Sequence, residues 1–234
     1  MTLMNHSMLR FLRFLSVVLL LFLGLSERAT AEIEMKVRVA DQVRRLEVKL
    51  LAGGDLFDER NRRVKTLRPN ESFVWEVQAE TKREEPKKPA DKGKKDRQTR
   101  RPPARRKADP WLGKTIRFVS RRGQVTVNRL SYHGYLQVTF RSSGALVVNQ
   151  LKLDDYIRGV VGREMGSLSP LESLKAQAVM ARTWAVANRG KHGKDGFDVC
   201  NAEHCQVYGG MAAERATTTA AVAATRGVIM TAEG

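Results

Sequence analysis

Cysteine is nearly absent from the 234 residues. There are two, Cys200 and Cys205, and both sit in one short stretch. Long apolar runs are missing too: the one present, Phe14 to Leu23, is shorter than the roughly 20 residues that a comfortable membrane span needs. No unit of 33 to 47 residues recurs, which sets a solenoid aside. Acidic residues are outnumbered, 25 against 42 basic ones, leaving a formal charge of +17 and a pI near 10.4. Such a charge suggests nucleic acid, an anionic membrane or an anionic polymer as partner. Where the charge sits decides among them.

Arg10 and Arg13 precede the apolar run, and Ala29-Thr30-Ala31 follows it with small residues where a signal peptidase reads. This is the order of a secretory signal, so residues 1–31 are expected to be removed, in preference to staying as a membrane anchor, and the protein exported to the periplasmic or outer, cell-wall side. An exported protein rarely meets nucleic acid. Between Lys82 and Lys107 lie thirteen basic and four acidic residues, four of the seven prolines, and no large apolar side chain. Such a segment cannot bury enough surface to offset the entropy of ordering it, so residues 81–109 are expected to form a disordered linker or an insertion between strands. It is either a plain solvated spacer or a region loosely attracted to anionic cell-envelope polymer. Having no aromatics for base stacking, it argues further against nucleic acid.

Residues 32–80 read as strands. Ile33, Met35, Val37 and Val39 alternate with charged residues, as do Leu46, Val48 and Leu50, which predicts two antiparallel strands joined by a polar turn; Phe73, Trp75 and Val77 predict a third. Beyond Trp111, strands are expected at Ile116–Phe118, Gln124–Val127, Tyr135–Phe140 and Ala145–Val148, with turns at Gly123 and Gly134. The pattern then changes. Ser169-Pro170-Leu171-Glu172 reads as a capping box with proline at the first helical position, opening a helix from Pro170 to about Arg189 that Gly190 stops. Leu171, Leu174, Ala178, Ala181 and Ala185 are expected to form its buried stripe. A second, Ala/Thr-rich helix is expected over Glu214–Gly227, and a strand from Val228 to Thr231. The fold class is α+β: a β-rich N-terminal framework, then a mixed domain over residues 110–234.

Chemically capable side chains gather between Leu151 and Tyr208. Glu164 follows the apolar segment Ile157–Val161 and precedes Gly166, a junction expected to be partly desolvated, which would raise its pKa as a general acid requires. An ordinary loop glutamate fits the spacing as well. Lys175, Gln177 and Arg182 could line a wall with hydrogen-bond donors, or simply be a solvated helix face. Asp154 and Asp155 read as the cap of a short preceding helix. Cys200 and Cys205 could form a disulfide or remain thiols; with His192 and His204 they could instead make a tetrahedral Cys2His2 zinc site.

The blocks LDDYIRGVVGREM, SPLESLKAQAVMARTWAVANRG, FDVCNAEHCQVYGG and AVAATRGVIM, in this order, resemble the SpoIID/LytB family, with SYHGYLQVTF resembling its leading hairpin. The resemblance implies a lytic transglycosylase that cuts peptidoglycan glycan strands, preferably those stripped of stem peptides, in sporulation or wall remodelling. It implies that Glu164 is the catalytic acid and that Lys175, Gln177 and Arg182 bind substrate or support the site. It also raises the zinc reading of the Cys-His-Cys block, as a structural site fixing the loop beside the cleft. Family members usually continue well past Val228, so a C-terminally truncated or degenerate member is expected. A two-carboxylate hydrolase would need a second Asp or Glu, whereas a lytic transglycosylase manages with one. The competing expectation is a non-catalytic, wall-binding enhancer of a cell-wall amidase.

Overall fold

A computed structural model describes residues 32–77, 109–165 and 169–231. The expected signal at 1–31 and nearly all of the basic segment at 81–109 lie outside the described residues. The fold is mixed α+β. Eleven strands come first for the most part: β1 Glu34–Val43, β2 Arg45–Lys49, β3 Gly54–Phe57, β4 Arg63–Leu67, β5 Ser72–Glu76, β6 Thr115–Ser120, β7 Gln124–Val127, β8 Leu130–His133, β9 Tyr135–Arg141, β10 Gly144–Lys152 and, late, β11 Val199–Cys200. Three helices follow β10: α1 Leu153–Glu164, α2 Leu171–Ala187 and α3 Ala216–Ala224.

The strands form a seven-stranded sheet ordered β11-β1-β10-β9-β6-β3-β4 and a four-stranded sheet ordered β5-β2-β7-β8. Every pairing is antiparallel except β1 with β11. The alternation of β2, β6 and β9 is what one buried face requires, and the sheets meet there: Phe73 of β5 lies edge-on to Phe118 of β6 at 5.1 Å, and Trp75 lies 5.0 Å from Phe140 of β9. β10 is central and buried along eight of its nine residues, so it reads as a continuous apolar run rather than an alternating one. Its two buried amides are both satisfied: Asn149 donates to the backbone oxygens of His133 and Tyr135 and accepts from the hydroxyl of Tyr208, and Gln150 donates to Gln137 Oε1 and accepts from the Tyr135 hydroxyl.

Five expectations need correction. Leu171, the first residue of α2, is 48% exposed and does not belong to the buried stripe, whereas Leu174, Ala178, Ala181 and Ala185 do. β1 and β2 do not pair with each other: β1 has register shifts between Arg38 and Ala40 and between Ala40 and Val43, and the chain passes through Arg44 into the other sheet. Bulges of this kind re-aim a strand, and one residue leaves no room for a hairpin turn. The α2 cap is Pro170, whose carbonyl accepts from Leu174 N–H at 3.1 Å; no side chain caps the helix, and Glu172 pairs with Lys175 instead. Asp154 and Asp155 occupy the first turn of α1 rather than its cap, which is Lys152. Val228–Thr231 is not a strand, because its backbone bonds to α2 side chains: Arg182 donates to the Val228 oxygen at 3.1 Å and Thr183 Oγ1 accepts from Met230 N–H at 2.9 Å.

α1 packs through its glycines. A Cβ on Gly159 would meet the Tyr208 ring at 2.4 Å, and one on Gly162 would meet the Ala213 carbonyl at 2.1 Å, so the segment Tyr208–Ala213 lies directly on the helix backbone.

Candidate active site and metal centre

Glu164 is the last residue of α1, and α2 begins seven residues later. Antiparallel return of the chain brings the first turns of α2 back to that end, and Gln177 Nε2 donates to Glu164 Oε2 at 2.8 Å. The carboxylate is exposed. The partly desolvated junction expected from the apolar run is therefore not found: Ile157, Val160 and Val161 face the core one turn earlier, while Arg163 and Glu164 leave it. What holds Glu164 is an amide, which fixes one oxygen, the other having no partner among the described residues.

The three α2 residues part company. Gln177 contacts Glu164. Lys175 is half-buried and engages Glu172 at 2.7 Å, one turn back on its own helix. Arg182 is 1% exposed. Its Nε and Nη2 donate to Asp154 Oδ1 at 3.1 and 3.0 Å, Nη1 to the Val228 oxygen at 3.1 Å and Nη2 to the Val222 oxygen at 3.4 Å. It ties the start of α1, α3 and the segment after it to α2, and presents no donor to solvent.

His192, Cys200, His204 and Cys205 come together, their ligand atoms all within 4.8 Å of one another. Cys200 is placed by β11, which pairs with β1 at the sheet edge, and is buried with Leu146, Val148 and Phe197. His192 Nε2 lies 3.4 Å from Cys205 Sγ, and His204 Nε2 lies 3.3 Å from Cys200 Sγ. Bond lengths of about 2.3 Å to sulfur and 2.0–2.1 Å to nitrogen set the edges of a tetrahedron at roughly 3.3–3.8 Å. Both cysteines are free thiols, and burial pushes the Cys205 thiol up. The ring of His192 stacks on Phe197 at 5.0 Å, and its Nδ1 lies 3.9 Å from the Asp195 carboxylate, beyond hydrogen-bond reach. Lys191 Nζ donates to the His204 carbonyl at 2.7 Å and holds that loop. The donor types, two cysteines and two imidazoles, are those of a Cys2His2 zinc site, and two of their contacts, at 3.3 and 3.4 Å, match its edge length within a cluster that spans up to 4.8 Å.

Beside the cluster, starting at the residue after Cys205, lies a polar network not anticipated from the sequence. Tyr156 of α1 donates to Gln206 Oε1 at 3.2 Å, Gln206 Nε2 donates to the Ala181 carbonyl at 3.4 Å, and the Tyr156 ring packs on Tyr208 at 5.1 Å. Burial drives both phenols far above the ordinary tyrosine value, so they remain neutral donors. The sequence signal was the Gln-Val-Tyr run immediately after Cys205. His133 and Glu214, bonded at 2.8 Å, similarly tie β8 to the start of α3.

Residues 141–231 match the stage II sporulation protein family, SpoIID. This segment is similar to a SpoIID domain. Over 86 residues the chain is 43% identical to an uncharacterized protein of Brachyspira hyodysenteriae, a stretch that is 36% of this chain and 23% of that protein. No solved structure matches the chain. The SpoIID match runs from the end of β9 through all three helices, so it includes Glu164, Gln177, Arg182 and the whole Cys/His cluster, and it associates the chain with sporulation and the cell wall.

Proposed function

We propose that the protein is an exported lytic transglycosylase that cleaves peptidoglycan glycan strands, with Glu164 as its general acid and base. The observation that carries this reading is the Gln177–Glu164 contact, which orients a solvent-facing carboxylate at the junction of two helices in the SpoIID-like segment. The Glu164 oxygen not held by Gln177, protonated, gives its proton to the glycosidic oxygen as that bond breaks. The carboxylate then takes the proton from the C6 hydroxyl of the same muramic acid unit, whose oxygen closes on C1 to leave a 1,6-anhydro end. One carboxylate serves both steps, because the incoming nucleophile belongs to the sugar rather than to water.

His192, Cys200, His204 and Cys205 would hold Zn2+ with four protein ligands and no open position, so its contribution is a cross-link and not chemistry on the glycan. That cross-link fixes Gln206 and Tyr208, and through them the packing of α1 beneath Glu164. The test is digestion of peptide-free and intact strands with product analysis: anhydro ends from the parent and none from Glu164→Gln carry the reading. The exposure of Glu164 favours a second reading, a wall-binding enhancer of a cell-wall amidase. That reading takes over if neither protein releases anhydro ends while an amidase is stimulated by both.

A further inference from the structure

Away from Glu164, the β3–β4 hairpin turn and the turn entering β6 enclose a cleft of about 480 Å3, within the roughly 300–1,000 Å3 of small-molecule sites. Asp58, Glu59, Arg60 and Arg62 line one side, Trp111 and Lys114 the other. The indole is held in advance. Asp109 accepts from Trp111 N–H at 2.8 Å and from Trp75 Nε1 at 2.7 Å, and the Trp111 ring meets Phe73 edge-on at 5.3 Å. Trp111 Nε1 has no hydrogen-bond partner among the described residues.

The charges of the cleft divide into committed and uncommitted. Asp58 accepts from the N–H groups of Arg60 and Arg62 and from the Arg62 guanidinium, at 2.8 to 3.0 Å. The Arg62 backbone N–H first, then its guanidinium, hold the Asp58 carboxyl below the usual range. Glu59 accepts from Thr115 N–H at 3.1 Å. No carboxylate pairs with the Arg60 guanidinium or the Lys114 ammonium among the described residues, and Lys114 Nζ stands 6.0 Å over the Trp111 ring. What the cleft has left to offer is an aromatic face beside two cations.

From this we infer that the cleft is a second saccharide subsite, in which a carboxylated sugar unit of a glycan strand stacks on Trp111 and sets its carboxylate against Arg60 and Lys114. A pyranose ring presents a C–H face to the indole, and a guanidinium with an ammonium suits a carboxylate. A neutral sugar leaves the cations unused, and a bare polyanion leaves the indole unused. The inference rests on the glycan-strand reading above, since a muramic unit freed of its peptide carries a lactyl carboxylate.

The test uses the full chain carrying Glu164→Gln, titrated with peptide-free glycan strands and followed by the three tryptophan indole N–H resonances, that of Trp111 assigned by Trp111→Phe. Expected are a shift of the Trp111 resonance and, in Arg60→Ala/Lys114→Ala, affinity at this site weakened at least about tenfold, with the Trp75 and Trp184 resonances unmoved in the free protein. An unmoved Trp111 resonance overturns the subsite, as does a double variant that binds like its parent. Equal binding of chitotetraose removes the role of the carboxylate, and an equal shift with polyglutamate removes the sugar; either overturns the proposal. Because the readout needs no cleavage, the two readings fail separately. A shift in a chain whose Glu164 parent never cleaves sinks only the enzymatic reading, and cleavage by that parent without the shift sinks only the subsite.

Discussion

Glu164 and Arg182 lie on neighbouring helices, yet substituting them should have opposite signatures. Glu164→Gln keeps the size and the contact with Gln177 but has no proton to give, so turnover should fall by about 10²- to 10⁴-fold with strand binding and thermal stability unchanged. Gln177→Ala releases the carboxylate without removing it, and a smaller loss of rate, on the order of tenfold, is expected in the same assay. Arg182→Ala removes the buried partner of Asp154 and of two backbone carbonyls. It should cost about 2–4 kcal/mol in urea unfolding, Asp154 being partly solvated. The family resemblance singled out Glu164, Lys175, Gln177 and Arg182 and left open whether Arg182 binds substrate or supports the site, while its burial was not visible in the spacing. Seven positions after Lys175, Arg182 looked like solvated helix face. It is nevertheless four after Ala178 and three before Ala185, both buried, and so on the inner face by the helical period. Its charge argued against that placement, and the groups that compensate the charge come from α1, α3 and the segment after α3.

At the level of elements, the alternating strands and the helices α2 and α3 could be read directly, because a half-buried strand writes its period into the sequence and both helices carry Ala-rich runs ended by glycine. The twelve-residue α1 could be read only as a short helix. β4 could not be read at all. It is an edge strand with four of its five residues exposed, so it has no alternation to show. The partners of β1 were equally illegible, since alternation reports the buried face and not the neighbour. On α1, Gly162→Ala offers a contrast between local and tertiary preference: alanine favours a helix by about 1 kcal/mol, but its Cβ would stand 2.1 Å from the Ala213 carbonyl. Net destabilisation of about 1–3 kcal/mol is expected in denaturant titration. For the Cys/His cluster, protein purified without chelator should carry close to one zinc per chain by elemental analysis, and Cys200→Ser and Cys205→Ser should each lose it. Chelation should lower the melting temperature and release hydrogen-exchange protection first between His192 and Tyr208.

Across the whole molecule, strands from before and after the basic segment share both sheets: β3 pairs with β6 and β2 with β7. The flanks of that segment also meet, since Trp75 bonds to Asp109. Deleting residues 82–107 should therefore change stability by less than about 1 kcal/mol by differential scanning calorimetry, because a shorter loop bridges a gap already closed. Retention on anionic wall material should weaken in the same protein, most at low salt. Residues 110–234 expressed alone should fail to give a cooperative unfolding transition, although they contain the entire SpoIID match. Without β1, the inner sheet strand β10 becomes an edge and β11 has no neighbour.

The position of β1 also bears on how the chain reaches its native state. It is the earliest strand, yet it pairs with β10 and β11, and the Lys36 amide bonds to Asp198, 162 residues further on. Contacts that distant form only after large loops have closed, which slows folding. A ribosome or an export channel delivering the chain from its N-terminus would thus release β1 long before anything existed to pair with it. Refolding from denaturant should be slow, with β1 and the Cys/His loop gaining protection together in the final phase.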